Sequence, residues 1–247
     1  MKVFVMGDIH GAYRALVQCL ERCEFDYEND KLIQLGDITD SFPEVYECVE
    51  TLLKIKNLVA LKGNHDDWFI EFINTGFHPA NWLHGGSATA KSYLKLSGRE
   101  NLIIKTATGY KTALNNNDVP LTHRNFFNAQ QLYYKDENNN CFVHAGFNRN
   151  LPFDSQSTTA FYWDRDLWRS AVNDAENFYN VNVFNEIYIG HTPTQHWFTD
   201  KPMRAQNITN LDTGAGHKGR LTIMDLHSKQ YWQSDLVSEL YSENARS

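Results

Sequence analysis

The sequence predicts an α/β (α+β) fold in which two packed mixed β-sheets are flanked by helices. The first 75 residues repeat one strand–turn–helix unit three times, which is typical of βαβ crossovers and a parallel sheet. Short strand-like runs return between residues 141 and 232, and only the tripeptide 227–229 separates the last two. This close spacing favours an antiparallel hairpin. A second sheet packed on the first is the simplest arrangement of these runs.

Each repeat consists of a short apolar run, a polar turn with glycine, and a segment with apolar residues at helical spacing. The predicted strands are 2–6, 31–35 and 58–61, and the predicted helices are 12–23, 43–56 and 66–73. Residues 76–139 are less regular, with two Asn-rich turns and helices that we expect to cap the sheet. The later strands are 141–143, 187–189, 208–211, 221–226 and 230–232, followed from about residue 234 by a polar tail with one short helix.

Composition narrows the class of protein. The chain has 247 residues, 42% of them hydrophobic, and a net charge of −7, which we interpret as one domain spanning 1–247. No stretch approaches the roughly 18 consecutive apolar residues of a membrane span. No basic tail or stripe offers a surface for extended nucleic acid. The four cysteines lack Cys-x-x-Cys spacing, so we expect buried, reduced thiols and a cytoplasmic location.

Five polar turns follow strand-like runs and carry the residues suited to chemistry. They read GDIHG at 7–11, GDITD at 36–40, GNHD at 63–66, HAG at 144–146 and GHT at 190–192. Because open α/β sheets hold their sites at the carboxyl ends of strands, we expect these side chains to meet at one edge. Mixed oxygen and nitrogen ligands suit Mn, Fe, Zn or Co. Helix capping is the alternative, but it accounts for neither the histidines nor their order.

The order of these turns resembles the metallophosphoesterase (calcineurin-like) superfamily. It is most similar to the phosphoprotein phosphatase branch, with the related bacterial and phage Ser/Thr protein phosphatases and the symmetrical dinucleoside tetraphosphate hydrolases. The family pattern is GDxHG, GDxxDRG, GNHE, HGG or HAG, and a late histidine. The resemblance runs from Gly7 to about Leu226 and includes the Trp-Asp-Arg stretch at 163–165 and Asp-Thr-Gly-Ala at 212–215. It implies a four-layer αββα sandwich.

The resemblance also implies two divalent metal ions per chain, with Mn²⁺ as the first choice and Fe, Zn or Co as alternatives. The implied ligands are Asp8, His10 and Asp37 for one ion, and Asp37, Asn64, His144 and His191 for the other. In such sites the ions lie about 3.5–4 Å apart, and a bridging hydroxide attacks phosphorus in line. His65 would protonate the leaving alkoxide, and Asp40 would orient its ring. The alternatives are a structural histidine and a helix cap ahead of Pro43.

The phosphate-binding positions depart from the family pattern. Residues 40–42 read Asp-Ser-Phe instead of Asp-Arg-Gly, so one arginine is absent, and Asp66 replaces the glutamate of GNHE. The remaining candidate phosphate contacts are Arg165, Lys62 and Asn64. A lysine binds phosphate as a point charge, without the two-pronged geometry of arginine. A surface ion pair is the alternative for Arg165, and a solvated side chain is the alternative for Lys62.

The predicted function is hydrolysis of phosphomonoesters, with a Ser/Thr phosphoprotein phosphatase as the leading hypothesis. Hydrolysis of a phosphoanhydride or diester, such as a dinucleoside polyphosphate or a cyclic nucleotide, is the alternative, because one arginine is missing and a diester phosphate presents less negative charge to bind. A non-catalytic scaffold is a third hypothesis, which the complete ligand set disfavours. The expected partner is a phosphoprotein or a small phosphate ester. Six other histidines need no functional role, and among them only His217, in the loop after Asp-Thr-Gly-Ala, is a candidate for contact with the substrate; a loop residue without function is the favoured interpretation. We expect the aromatic residues 161–163 and 168 in the core or cleft wall rather than as a base-stacking platform.

Overall fold

A computed structural model describes residues 1–173 and 184–241 and confirms two large mixed sheets flanked by helices. The strands are β1 (Val3–Met6), β2 (Lys31–Gln34), β3 (Asn57–Ala60), β4 (Ile103–Thr106), β5 (Gly109–Thr112), β6 (Tyr133–Lys135), β7 (Cys141–Val143), β8 (Ile187–Ile189), β9 (Met203–Ala205), β10 (Ile208–Asn210), β11 (Thr222–Asp225) and β12 (Tyr231–Gln233). The α-helices are α1 (Tyr13–Arg22), α2 (Val45–Leu52), α3 (Asn64–Thr75), α4 (Gly86–Lys95), α5 (Leu121–Asn128), α6 (Ala160–Trp163), α7 (Asp166–Asn173) and α8 (Val237–Leu240). Short 3-10 helices occupy Ala80–Leu83, Asn116–Asp118, Phe153–Ser155 and Thr194–Trp197.

The first sheet has the strand order β12–β11–β1–β2–β3. Strands β1, β2 and β3 are parallel, as the repeated strand–turn–helix unit predicts, and β11 runs antiparallel to β1. The predicted hairpin is the antiparallel pair β11–β12. Helix α8 is the short helix expected in the polar tail, and the part of that tail beyond residue 241 lies outside the described residues.

The second sheet has the order β6–β7–β8–β10–β9. Its central strands β7, β8 and β10 are parallel, while the edge strands β6 and β9 are antiparallel to their neighbours. The edge strands were not predicted, nor was the separate hairpin β4–β5, which lies where only turns and helices were expected. Helices α4 and α5 confirm the expected helical content of residues 76–139.

Alternating side chains create the layers of the sandwich. In β1, Phe4 and Met6 pack with the helices α1, α2 and α3, whereas Val5 packs between the two sheets. In the second sheet, Phe142 and Tyr188 point to the same inter-sheet layer, and their rings stack at 5.1 Å between centroids. A third apolar layer lies between the second sheet and α7. The arrangement is helix, sheet, sheet, helix, because successive strand residues face opposite sides of a sheet.

Two further expectations concern the chain as a whole. All four cysteines are buried and free, as expected from their spacing. Within residues 1–173 and 184–241, the helices lack the combination of length and apolarity that a bilayer crossing requires.

Candidate metal centre

The polar turns at the strand ends contain an unusual concentration of left-handed backbone. Half of the ten non-glycine residues with positive φ in the described chain lie in these turns or directly after one, and they are His10, Asp37, Asp40, Ser41 and His191. This conformation is costly for residues with a Cβ and persists only where the surrounding structure enforces it. Three of the five are predicted metal ligands. The turns therefore aim side chains in directions that an ordinary strand end would not allow.

Asp37 lies at the centre of the cluster. Ligand-type atoms of His10, Asp37 and His65 lie within 4.8 Å of one another, and so do those of Asp37, His144 and His191. Asp37 Oδ2 is 3.6 Å from His10 Nε2 and 3.5 Å from His144 Nε2. All five side chains are buried. The structure thus brings together two potential ligand groups that share one carboxylate.

Backbone carbonyls fix two of the imidazoles. His10 Nδ1 lies 3.0 Å from the Thr39 carbonyl, and His144 Nδ1 lies 2.8 Å from the Leu35 carbonyl. Because a carbonyl oxygen only accepts hydrogen bonds, each Nδ1 carries a proton and each Nε2 faces Asp37. This is the arrangement by which proteins orient metal-binding histidines. Both rings therefore present a nitrogen suited to a cation.

Oxygen atoms that can only accept hydrogen bonds surround His144 Nε2, and this arrangement favours a positive charge there. Its Nε2 lies 3.3 Å from Asn64 Oδ1 and 3.5 Å from Asp37 Oδ2, so two oxygen acceptors face one nitrogen. Burial opposes a charge on this ring, but the carboxylates of Asp37 and Asp8 outweigh burial and raise the pKa of His144 to about 10. In the absence of a cation, a proton must occupy the space between these acceptors. A divalent ion fits the same donor set.

Asp8 carries an orphaned oxygen beside this cluster. Its Oδ2 accepts a hydrogen bond of 3.0 Å from the His191 backbone N–H, while its Oδ1 is buried without a hydrogen-bond partner. Burial and the nearby Asp212 raise the pKa of Asp8 well above its usual range. Leaving a buried carboxylate oxygen unpaired is costly unless a cation is present. Asp8 lies outside the two groups centred on Asp37, yet its free oxygen fits a metal ligand.

His65 and Asp40 form a short buried pair. His65 Nδ1 lies 2.7 Å from Asp40 Oδ2, and the Asp40 side chain is fully buried. The His65 ring is 4.9 Å from that of His10, and its backbone N–H donates to Asp37 Oδ1. Helix α2 begins at Val45 without a side-chain cap, so the alternative of Asp40 as a capping residue is wrong. The Asp40 carboxylate instead contacts the imidazole that lies beside the cluster of ligand-type side chains.

Of the two basic side chains that are candidates for phosphate binding, Arg165 and Lys62, only one lies in the cleft among the described lining residues. Arg165 lines the cleft and donates from Nε to His191 Nε2 at 3.1 Å, whereas the Asp164 carboxylate accepts from the backbone of α7. Lys62 pairs with Asp67 at 3.3 Å and is not among the described residues that line the cleft. Arg165 therefore has the better position to contact a phosphate.

Asp66 has a role that the sequence did not predict. Its Oδ1 accepts from the backbone N–H groups of Ile38 and Thr39 at 3.0 and 3.1 Å, and from the Thr39 hydroxyl. Its Oδ2 accepts from Gly63 N–H and Gln130 Nε2. Asp66 thus links the second polar turn to the third. The one sequence signal was its position in the GNHD turn.

The cluster opens into a cleft of about 1370 Å³. Six of the ten histidines line it, including His217, for which a position near the substrate was the less favoured interpretation of the sequence. Trp68 and Trp163 form part of the wall, with ring centroids 5.7 Å apart. The expected core residues Phe161, Tyr162 and Trp168 are buried. The cleft combines a metal-binding floor with an aromatic wall.

A buried aspartate–histidine–asparagine cluster at the strand ends of a two-sheet sandwich is typical of metal-dependent hydrolases. Residues 1–217 match the model of the calcineurin-like phosphoesterases, and the chain belongs to this family. The family uses divalent metal ions, and its members hydrolyse phosphate ester bonds. The chain is therefore a phosphoesterase.

Two relatives are similar to the chain over most of its length. The chain is 23% identical over 235 residues to serine/threonine-protein phosphatase 1 of Salmonella typhimurium, with 90% of each chain covered. It is 23% identical over 242 residues to the asymmetrical bis(5'-nucleosyl)-tetraphosphatase PrpE of a Geobacillus species, with 90% of this chain and 89% of the relative covered. Their names describe different substrates.

Solved structures share the fold. A cold-active protein tyrosine phosphatase superposes with a TM-score of 0.60 and 14% identity, covering 94% of this chain and 78% of the other. A metallophosphoesterase from Sphaerobacter thermophilus gives a TM-score of 0.53 and 15% identity, covering 96% and 89%. At such identities the likeness concerns the fold alone.

Proposed function

We propose that this protein is a phosphomonoesterase of the phosphoprotein phosphatase type that acts on phosphorylated serine and threonine side chains. The observation that carries the proposal is the buried 2.7 Å contact between His65 and Asp40 beside the metal-ligand cluster. A serine or threonine alkoxide is a poor leaving group and needs a proton. The phosphate leaving group of an anhydride departs readily without one. A positioned general acid thus favours alkyl phosphomonoesters.

The ligand set proposed for two divalent ions is Asp8, His10, Asp37, Asn64, His144 and His191. Bound there, with Mn²⁺ as our first choice, the ions would activate water and neutralise charge on the phosphate oxygens. Asp37 would be the shared carboxylate, since it belongs to both groups of converging side chains. The unpaired oxygen of Asp8 supports its inclusion.

The other residues bind the substrate and move a proton. Arg165 contacts the phosphate oxygens from the cleft wall, where its guanidinium can form two parallel hydrogen bonds. In the imidazolium form of His65, Nδ1 donates a hydrogen bond to Asp40 and Nε2 holds the proton that the departing oxygen takes. Because Asp40 is fully buried, water does not compete for this hydrogen bond.

A dinucleoside polyphosphate hydrolase is the second candidate function. The cleft of about 1370 Å³ is larger than a lone phosphomonoester requires, and it is open enough for a nucleotide. The aromatic wall of Trp68 and Trp163 offers a surface on which a base could stack. The substrates named for PrpE and its relatives agree with this candidate.

An activity screen with added Mn²⁺ separates the two candidates. We expect a phosphoserine peptide to be hydrolysed with a higher kcat/KM than a phosphotyrosine peptide, a dinucleoside tetraphosphate or a cyclic nucleotide. A preference for the dinucleoside tetraphosphate would establish the second candidate instead. The screen uses the full chain, because both sheets contribute proposed ligands.

The role of His65 is tested by changing the leaving group. His65→Asn should lower kcat about 10²–10⁴-fold on a phosphoserine peptide and far less on p-nitrophenyl phosphate, whose leaving phenolate needs no proton. Metal content, measured by elemental analysis, should not change. The control is His227→Asn, in the turn between β11 and β12, which should leave both rates unchanged. Equal losses on the two esters would exclude His65 as the general acid.

A further inference from the structure

Residues 80–95 cover the left-handed turn that carries Asp40. This segment consists of the 3-10 helix Ala80–Leu83, Gly85 in a left-handed conformation, and α4. Gly85 lies so close that a Cβ there would be 2.9 Å from the Ser41 backbone nitrogen. The segment therefore occupies the space beside residue 41, where family members carry arginine. Two of its side chains reach the Asp40 carboxylate.

Trp82 and Thr89 complete the hydrogen bonding of that carboxylate. Trp82 Nε1 donates to Asp40 Oδ1 at 2.9 Å, and the Thr89 hydroxyl donates to the same oxygen at 2.7 Å. The Thr89 oxygen also accepts from the Asp40 backbone N–H at 2.8 Å. The other oxygen, Oδ2, contacts His65 Nδ1. Asp40, Trp82 and Thr89 are each fully buried, so water cannot replace these donors.

The direction of these bonds is fixed by chemistry. An indole nitrogen can only donate, and the Thr89 hydroxyl accepts from a backbone N–H, so its own proton is available for the carboxylate. Two donors on Oδ1 prevent the carboxylate from rotating away from His65. A threonine inside a helix commonly bonds the carbonyl of its own preceding turn, but Thr89 reaches across to Asp40.

Trp82, one of the two side chains that hold Asp40, is fixed by contacts with the hydrophobic core. The Trp82 ring packs at 5.1 Å from Phe72 and 5.5 Å from Phe69, both on α3. The Tyr110 hydroxyl on β5 donates to the Trp82 carbonyl. Helix α3 begins at Asn64 and includes His65 as its second residue. The same helix therefore positions the histidine and supports the tryptophan that holds its partner.

We propose that Trp82 and Thr89 are positioning residues that hold the Asp40 carboxylate so that His65 delivers its proton to the leaving group. The inference rests on the proposed general-acid role of His65 and assigns its support to residues that the family pattern does not contain. Loss of either donor frees Oδ1, lets the carboxylate rotate, and misaligns the imidazole. A misalignment of this kind reduces proton transfer without removing a metal ligand.

The test compares two esters in variants that remove one donor each. Thr89→Val keeps the shape of the side chain, and Trp82→Phe keeps most of the ring. Each should lower kcat on a phosphoserine peptide about tenfold, because a misaligned imidazole loses part of the general-acid contribution of about 10²–10⁴-fold. On p-nitrophenyl phosphate, which needs no general acid, each should lower kcat less than about twofold. KM and metal content should not change. Thr89→Ser restores the hydroxyl and should recover the wild-type rate.

A matched control comes from the same helix. The Ser92 hydroxyl is buried on α4 and accepts from the Tyr46 backbone N–H at 2.9 Å, away from Asp40. Ser92→Ala therefore removes a hydrogen bond that a hydroxyl on α4 accepts from a backbone N–H, as Thr89→Val also does, and it should not alter the ratio of the two rates. If it alters the ratio as Thr89→Val does, the effect reflects general loosening of α4 and the proposal is overturned.

A double-mutant cycle distinguishes the inference from the function on which it rests. In a His65→Asn background, Thr89→Val and Trp82→Phe should cause no further loss on the phosphoserine peptide, because residues that act through one group are not additive. A further tenfold loss would overturn the positioning role. If His65→Asn lowers kcat equally on both esters, the proposed general-acid role of His65 is wrong. If His65→Asn lowers kcat mainly on the phosphoserine peptide, but Thr89→Val and Trp82→Phe do not, only the positioning role fails.

Discussion

Gly190→Ala tests whether Asp8 binds metal. Gly190 follows β8, and a Cβ built on it would lie 2.0 Å from Asp8 Oδ1 and 3.1 Å from Asp8 Cγ. Real Cβ atoms essentially never show contacts under 3.0 Å, so the carboxylate must move by about 1 Å. Gly190 does not have left-handed backbone, and alanine therefore causes no dihedral strain there. The substitution therefore displaces the Asp8 carboxylate, including its unpaired oxygen, without straining the backbone.

The size of the effect follows from the role of that oxygen. Overpacking alone should cost about 1–3 kcal/mol of folding stability in the metal-free protein. Displacing a ligand should weaken metal affinity about 10–100-fold. At a metal concentration 100 times the wild-type Kd, binding stabilises the native state by about 2.7 kcal/mol, and this gain should fall to about 0.4–1.4 kcal/mol in the variant.

Calorimetric titration with Mn²⁺ and thermal unfolding with and without metal measure both quantities. Gly98→Ala is the control, because Gly98 has a φ of +67° and a Cβ added there would have no neighbouring atom within 4 Å. It should lose about 1–2 kcal/mol through left-handed strain while keeping wild-type metal affinity. If Gly190→Ala binds Mn²⁺ as tightly as the wild type, Asp8 Oδ1 is not a ligand.

Three further variants address the remaining residues. Asp37→Asn should abolish binding of both ions, and elemental analysis of the wild type should give two ions per chain; a stoichiometry of one would contradict the shared carboxylate. Arg165→Ala should raise the inhibition constant of inorganic phosphate about 10–100-fold with metal content unchanged, whereas its neighbour Arg169→Ala should not. Asp66→Asn should destabilise the metal-free protein by about 2–4 kcal/mol in urea unfolding, because an amide nitrogen would face backbone N–H donors. Unchanged stability would refute the linking role of Asp66.

The sequence predicted the parts of the fold that have strong local patterns. Strands β1 and β2 are short, largely buried runs followed within two residues by glycine, as is typical of parallel strands, and the edge strand β3 is an apolar run that is only partly buried. The hairpin β4–β5 was missed because neither of its strands contains a buried residue and they carry Lys105 and Lys111, so no apolar face alternates with a polar one. Edge strands β6 and β9 have three residues each, too few to show a period.

The candidate site also has a part that the sequence predicted and a part that it did not. The ligand-type residues could be predicted because they lie in short turns whose order is distinctive. The support of Asp40 could not, since Trp82 and Thr89 are 42 and 49 residues away and belong to a segment without a local pattern. Arg165 and Lys62 were ambiguous, because a cation beside carboxylates in sequence can pair with them or reach a cleft. Only the packing of α7 and α3 decides whether such a cation pairs with a carboxylate or reaches the cleft.

The proposed ligands come from both sheets, and this has a consequence for stability. Asp8, Asp37 and Asn64 follow strands of the first sheet, whereas His144 and His191 follow strands of the second. The two sheets meet through an apolar layer that includes Val5, Ile33 and Leu61 from one side and Phe142 and Tyr188 from the other. The site therefore exists only when this layer is packed. A metal ion bound there joins the two sheets at their carboxyl edges, so its binding free energy adds directly to the stability of the sandwich.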